Sequence, residues 1–145
     1  MSIKEDLDEQ VKYNNLKLAW LESNQSKLVL DKISEIYKID YDNLFIWEYL
    51  EGKVTNYTNE NWEIELMDLL VLLNDKIYIC ITNEEYYPWS ILYGSKNDII
   101  NIVNEMYYFE YFIFDDNFSI LIFDTHHNYF KTIQLDKIEA MSKIN

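Results

Sequence analysis

Arginine is absent from this 145-residue chain, cysteine and proline each occur once, and glycine occurs twice. Without Arg there is no planar guanidinium fork to hold a phosphate or carboxylate at two points. The lone cysteine, Cys80, excludes an internal disulfide, and its place in an alternating apolar segment marks it as a buried thiol. Gly52 and Gly94 are isolated, so a glycine-rich phosphate loop is missing and nucleotide binding of the common kinds is excluded. Serine-nucleophile motifs are missing too. The longest apolar run, Leu69 to Leu73 behind Leu66 and Met67, is broken by Asp68 and falls far short of the ~20 residues of a membrane span. Met1 to Asp6 turns charged at once, unlike a secretory signal, so the expectation is a soluble, cytoplasmic protein.

Charge is the strongest bulk signal. The 26 Asp and Glu outweigh the 12 Lys, for a net of −14. Direct nucleic-acid and anionic-membrane partners are disfavoured, because both need basic patches to neutralise phosphates. A basic protein partner is favoured instead. The charge is concentrated: residues 54–130 hold 13 acids against 2 Lys, a net of −11, and the remainder holds 13 acids against 10 Lys, a net of −3. An AT-rich coding sequence also produces much Ile, Asn, Tyr and Lys with little Gly, Pro or Arg, so placement carries more weight here than abundance.

With 49% hydrophobic residues spread along its length, the chain has enough apolar surface for a core. Leu7, Val11, Leu18 and Leu21 share a face and predict a helix over residues 4–22, and Val29, Ile33, Ile36 and Tyr37 predict a second over 27–37, the two forming an antiparallel pair. Leu44 to Tyr49 reads as a strand, Glu51 to Asn61 as a loop, and 62–73 as a helix with Asn61 as N-cap, a strand being the alternative. Ile77, Ile79 and Ile81 alternate in a strand over 76–82, followed by an acidic aromatic loop from Asn83 to Pro88 and a short strand at Trp89 to Tyr93. Ser95 caps a helix over 96–106. Tyr107 to Phe114 and Phe118 to Asp124 form an aromatic hairpin, Phe130 to Leu135 an edge strand, and the C-terminus a short helix. The four Trp residues, scattered over different elements, read as packing. The expected fold class is α+β: a single domain over 1–145, with an antiparallel sheet whose C-terminal aromatic hairpin packs against N-terminal helices.

If the hairpin loop is Asp116-Asn117, Glu110 lies opposite Phe123 on a face with Phe112, Phe114, Ser119 and Leu121, while Phe109, Tyr111, Ile113, Ile120 and Ile122 share the other. Both faces are apolar. The hairpin is therefore either covered twice or open on one aromatic side to a partner. A carboxylate among so many rings is costly unless paired or exposed, which singles out Glu110. Beyond the second strand, Asp124-Thr125-His126-His127 offers two adjacent imidazoles, which point to opposite faces if extended and reach one metal only in a loop. An acid-base site built on Glu110, Asp124, His126 and His127 would be a minimal hydrolase or metal-enzyme kit, with little cationic support for an anionic transition state.

Glu110-Tyr111-Phe112-Ile113, the run Phe118 to Phe123 and then Asp124-Thr125-His126-His127 resemble a segment shared by a family of small acidic bacterial proteins: Glu-Tyr-[Tyr/Phe]-[Ile/Val], a turn, a hydrophobic strand and Asn-His-His. Tyr86-Tyr87 and the helix after Ser95 are similar in layout, so the resemblance covers roughly residues 85–130. Ile120 and Asp124-Thr125 depart from its Trp and Glu-Asn. Such proteins resemble immunity proteins of polymorphic toxin systems, which bind and block a toxin domain, and the resemblance implies that role here. The expectation is a non-enzymatic binding module without cofactor or metal, docking a basic toxin domain through Glu84, Glu85, Tyr86, Tyr87, Glu110, Asp124, His126 and His127. The alternatives are the hydrolase or metal enzyme above and an acidic regulator or nucleic-acid mimic.

Overall fold

Ser2 opens the first helix by accepting the Glu5 N–H on its hydroxyl at 3.1 Å, and Glu5 and Asp6 complement the positive end of the helix dipole. The computed structural model describes residues 2–42, 50, 53–58, 61–82, 87–106, 109–125 and 129–135. Helix α1 runs Ile3–Tyr13 and stops at Asn14, with Asn15 in the left-handed region at φ 54. The expected helix over 4–22 is thus shorter. Asn accepts that conformation more readily than other side chains, and two of them in a row end the helix. Leu18 and Leu21 leave the helical stripe and flank a two-residue strand, β1 (Ala19–Trp20).

Helix α2 (Ser23–Tyr37) starts four residues before the expected Lys27, because Glu22 and Gln25 close a capping box around its first turn. Lys38 ends it at φ 58. The expected antiparallel pair of α1 and α2 does not form: Leu7 of α1 packs into one hydrophobic layer, while Leu30, Ile33 and Ile36 of α2 pack into another. The chain changes sides of the sheet at β1, its outermost strand.

The remaining elements are β2 (Lys53–Thr58), α3 (Trp62–Leu70), β3 (Lys76–Ile81), β4 (Ile91–Ser95), α4 (Lys96–Glu105), β5 (Tyr111–Phe114), β6 (Ile120–Asp124) and β7 (Tyr129–Gln134). The fold is α+β. Among the described residues, seven strands form one antiparallel sheet in the order β1-β4-β3-β5-β6-β7-β2. Helices α1, α3 and α4 cover one face and α2 the other. None of the described helices is long and apolar enough to cross a membrane.

Several boundaries differ from the sequence expectation. Strand β2 occupies part of the expected loop over 51–61; Val54, Thr55, Tyr57 and Thr58 are strand-formers that outweigh the Asn content once β7 offers a ladder. Strand β7 is interior rather than an edge, because β2 pairs along its far side. Strand β4 starts at Ile91, leaving Trp89 outside the strand. Ser95 caps α4 as expected, its hydroxyl accepting the Asp98 N–H at 3.2 Å. The expected strand Leu44 to Tyr49 and the C-terminal helix lie outside the described residues.

The C-terminal hairpin is covered twice. Phe112, Phe114, Leu121 and Phe123 are buried in the α2 layer, and Phe109, Tyr111, Ile113, Ile120 and Ile122 in the opposite one. The division of faces matches the sequence reading, but the register does not: Tyr111 stands opposite Asp124, Phe112 opposite Phe123 and Ile113 opposite Ile122. The turn is longer than Asp116-Asn117. The Asp115 carboxylate accepts the Asn117 N–H at 3.0 Å, its carbonyl accepts the Phe118 N–H at 3.2 Å, and Phe118 adopts φ 55, drawing Phe118 and Ser119 into the turn. The pairing moves by an even step, so every side chain keeps its face.

At the other side of the sheet Gly94 has no room for a side chain. An added Cβ would collide with Leu18 Cδ2 and stand 2.9 Å from the Lys17 carbonyl oxygen. Gly94→Ala is expected to destabilise the fold by about 1–3 kcal/mol, lowering the urea midpoint while leaving the denaturant slope unchanged.

Candidate functional site

The strand register decides which expected residues meet. Trp20, Ile91, Ile81, Tyr111, Asp124, Tyr129 and Thr58 all lie at one end of the sheet. Tyr87 and Trp89 ahead of β4, Glu110 at the start of β5, and Thr125 and Tyr129 on either side of residues 126–128 therefore gather there. Glu84, Glu85, Tyr86, His126 and His127 lie outside the described residues. The N-termini of α2 and α3 arrive at the same end, bringing Glu22, Glu63 and Glu65. The acids of residues 54–130 are thus partly drawn to one pole of the molecule.

Tyr87 is exposed but anchored. Its hydroxyl donates to Asp31 Oδ1 at 2.7 Å, and Asp31 Oδ2 accepts from Lys27 at 2.7 Å, tying the β3–β4 connection to α2. Those two hydrogen bonds, Lys27 first, hold the Asp31 carboxyl below the usual range. The Tyr87 ring stacks on Tyr41 at 5.8 Å and meets the edge of Trp89 at 6.3 Å, while Tyr41 donates its hydroxyl to the Leu30 carbonyl at 2.6 Å. Tyr87 thus presents a held ring rather than a loose one.

Glu110 is half-buried, and its carbonyl accepts the Thr82 N–H at 3.0 Å, extending the β3–β5 ladder. Strand alternation places it with Phe112, on the α2 side. Asp124, by contrast, belongs with Tyr111 on the opposite side and is buried, its Oδ2 accepting the Tyr111 hydroxyl at 2.9 Å. The two carboxylates share an end of the sheet and not a face. Thr125 closes the β6–β7 turn, its hydroxyl donating to the Tyr129 carbonyl at 2.7 Å. Among the described residues, three or more His, Cys, Asp or Glu side chains do not converge as a metal site.

Burial holds four tyrosines protonated beyond their ordinary range. It is the first cause for each of Tyr37, Tyr41, Tyr87 and Tyr111; the neighbouring carboxylates Asp115, Asp31 and Asp124 add to it at Tyr37, Tyr87 and Tyr111 respectively. Tyr87 is pushed up to about 12. A phenol whose folded pKa exceeds its unfolded value near 10.0 contributes stability fully below that pH and loses it as pH rises toward the folded value. Urea midpoints are therefore expected to hold up to about pH 10 and fall steeply above it. A flat profile between pH 9 and 11, read together with tyrosinate absorbance, would contradict the burial of these hydroxyls.

Two surface features carry no signal in the residues singled out from sequence. A groove of about 420 Å³ lies at the opposite end of the sheet, lined in part by Lys17, Asp75, Lys76 and Tyr93. Helix α3 leaves Ile64 and Met67 exposed, with Val71 and Leu72 just beyond its end. The second feature had a trace in the sequence, since WEIELMDLLVLL places apolar residues on every side of a helix, more than one buried face can use.

Comparison with models of protein families and with curated proteins gives no match to the chain.

Proposed function

We propose that this chain is a non-enzymatic protein-binding module that recognises a basic protein domain, in the manner of an immunity protein neutralising a toxin. The observation that carries the reading is the gathering of Tyr87, Glu110 and the acid-bearing starts of α2 and α3 at one end of the sheet. An excess of negative charge at one pole accelerates encounter with a cationic partner and repels anionic ones. An anchored aromatic such as Tyr87 orders little on binding and so keeps most of the free energy of its contact. The placement of Glu110 and Asp124 on opposite faces favours this reading over an acid-base pair, which needs both groups within reach of one proton.

The test is binding to the product of the adjacent gene, taken as the candidate basic domain and produced in an inactivated form, over a series of salt concentrations. Tight binding whose association rate falls as salt rises, together with protection of cells that express the active domain, is the expected result. Binding indifferent to salt, or expression without protection, overturns the proposal.

A further inference from the structure

Helix α4 follows the usual division between a buried apolar stripe and a solvated polar face, and α1 and α2 each leave one large apolar side chain exposed, Tyr13 and Leu28. The exposed positions of α4, for instance, are Asn97, Asn101, Asn104 and Glu105. Helix α3 does not. Leu66, Leu69 and Leu70 go into the core, yet Ile64 stays 61% exposed and Met67 49%, with Val71 at 75% and Leu72 at 52% in the turn that follows. Val71 keeps helical backbone angles at the helix C-cap. At about 100° per residue, Ile64, Met67 and Val71 fall within about 60° of one another. They form a narrow outward stripe over two turns.

Glu63 and Asp68 flank the stripe on either side, both exposed, with Glu65 further round and half-buried. From residue 54 to residue 75 the sequence has no Lys at all. An apolar seam between two carboxylates is a poor match for a second copy of itself, because a symmetric pairing would press like charges together as the seam is dehydrated. It is equally poor for an anionic lipid surface. Charge complementarity selects a protein partner that offers an apolar groove or ridge bordered by lysine or arginine. Such a surface buries Ile64, Met67 and Val71 and neutralises Glu63 and Asp68 at the rim.

We infer that the outer stripe of α3, Ile64-Met67-Val71 between Glu63 and Asp68, is the apolar docking surface for the basic partner. This rests on the binding function proposed above and specifies where its desolvated contact lies. The acidic pole then serves encounter, and the stripe serves residence time: rim charges act chiefly on association and buried apolar contacts on dissociation.

The experiment uses the full chain and the same inactivated basic domain. Ile64→Gln with Met67→Gln removes the seam without changing charge, in a residue type that suits a helix; because both positions are exposed, its thermal midpoint stays near that of the parent. The expected result is a loss of at least about tenfold in Kd, through faster dissociation and with an unchanged salt slope. Glu63→Gln with Asp68→Asn is expected to slow association and flatten the slope. Leu28→Gln, an equally exposed leucine on α2, serves as control and leaves binding intact.

Binding that survives the Ile64/Met67 change overturns the stripe and spares the function. Failure of the parent chain to bind the basic domain overturns both. Self-association of the parent that disappears in the variant, or co-sedimentation of the parent with phosphatidylcholine vesicles, assigns the stripe to a second copy or to lipid and likewise overturns the inference.

Discussion

Replacing Phe112 with alanine is expected to destabilise the protein by about 3–5 kcal/mol, a large part of the roughly 5–15 kcal/mol that holds a domain of this size together. Phe112 is fully buried on a central strand, with the Phe123 ring 5.0 Å away across the β5–β6 pair and Phe114 5.7 Å along its own strand. The cavity left by the ring would be bounded by strands on one side and α2 on the other, and a strand paired on both sides, as β5 is with β3 and β6, cannot move inward to fill it. Equilibrium urea unfolding of Phe112→Ala beside Phe112→Leu separates the two contributions. The leucine variant keeps most of the transfer free energy and is expected to lose about half as much or less. Equal losses would point to disrupted pairing rather than to a void.

The second large effect is expected at Asp115, a buried carboxylate at the tip of the hairpin. Its Oδ2 accepts the Asn74 N–H at 2.8 Å and its Oδ1 the Asn117 N–H at 3.0 Å, so one side chain clasps the β5–β6 turn to the turn that precedes β3. The Asn74 side chain in turn donates from Nδ2 to Asp116 Oδ1 at 3.0 Å. Asp115→Ala removes a charged acceptor from two backbone donors and is expected to cost about 2–4 kcal/mol. Asp115→Asn retains one acceptor oxygen and should recover part of that loss. Hydrogen exchange at the Asn74 and Asn117 amides reports on the clasp directly. Exchange in the alanine variant as slow as in the parent would mean that solvent or a neighbour replaces the carboxylate.

The strongly alternating and capped segments were readable from sequence, because local chemistry alone determines them. Ile77, Ile79 and Ile81 had to form a strand, Ser95 had to start a helix, and the aromatic hairpin had two apolar faces, for which the sequence allowed either double cover or one open side and the fold covers both. What failed depended on partners far along the chain. The run Val54 to Thr58 carries Asn56 and looks like a loop until β7 supplies hydrogen bonds to its backbone. The helix over 4–22 ignored Asn14 and Asn15, whose tolerance of left-handed angles outweighs the apolar periodicity of Leu18 and Leu21. The hairpin register turned on the second carboxylate interaction of Asp115, which no count of apolar positions reveals.

The candidate surface was legible in the same uneven way. That Tyr87 and Glu110 belong to one end of the molecule follows only from the pairing of β3 with both β4 and β5. The inward turn of Asp124 toward Tyr111 follows from the hairpin register, which sequence reasoning had displaced by an even step. The α3 stripe was present in the letters as an excess of apolar residues. Deciding which of them the core leaves outside required knowing where the sheet lies.

The strand order also has a temporal meaning. The two outermost strands, β1 and β2, come from the first 58 residues, whereas β3 to β7, all from Lys76 onward, make the continuous middle. A ribosome therefore delivers the flanks of the sheet, with α1, α2 and α3, before any of the strands they must lie against. A nascent chain ending near Asp75 holds amphipathic helices with no platform to cover, whereas a chain extended through Gln134 can zip its consecutive hairpins first and recruit the early segments afterward. The continuous middle of the sheet is therefore encoded entirely downstream of both of its flanks.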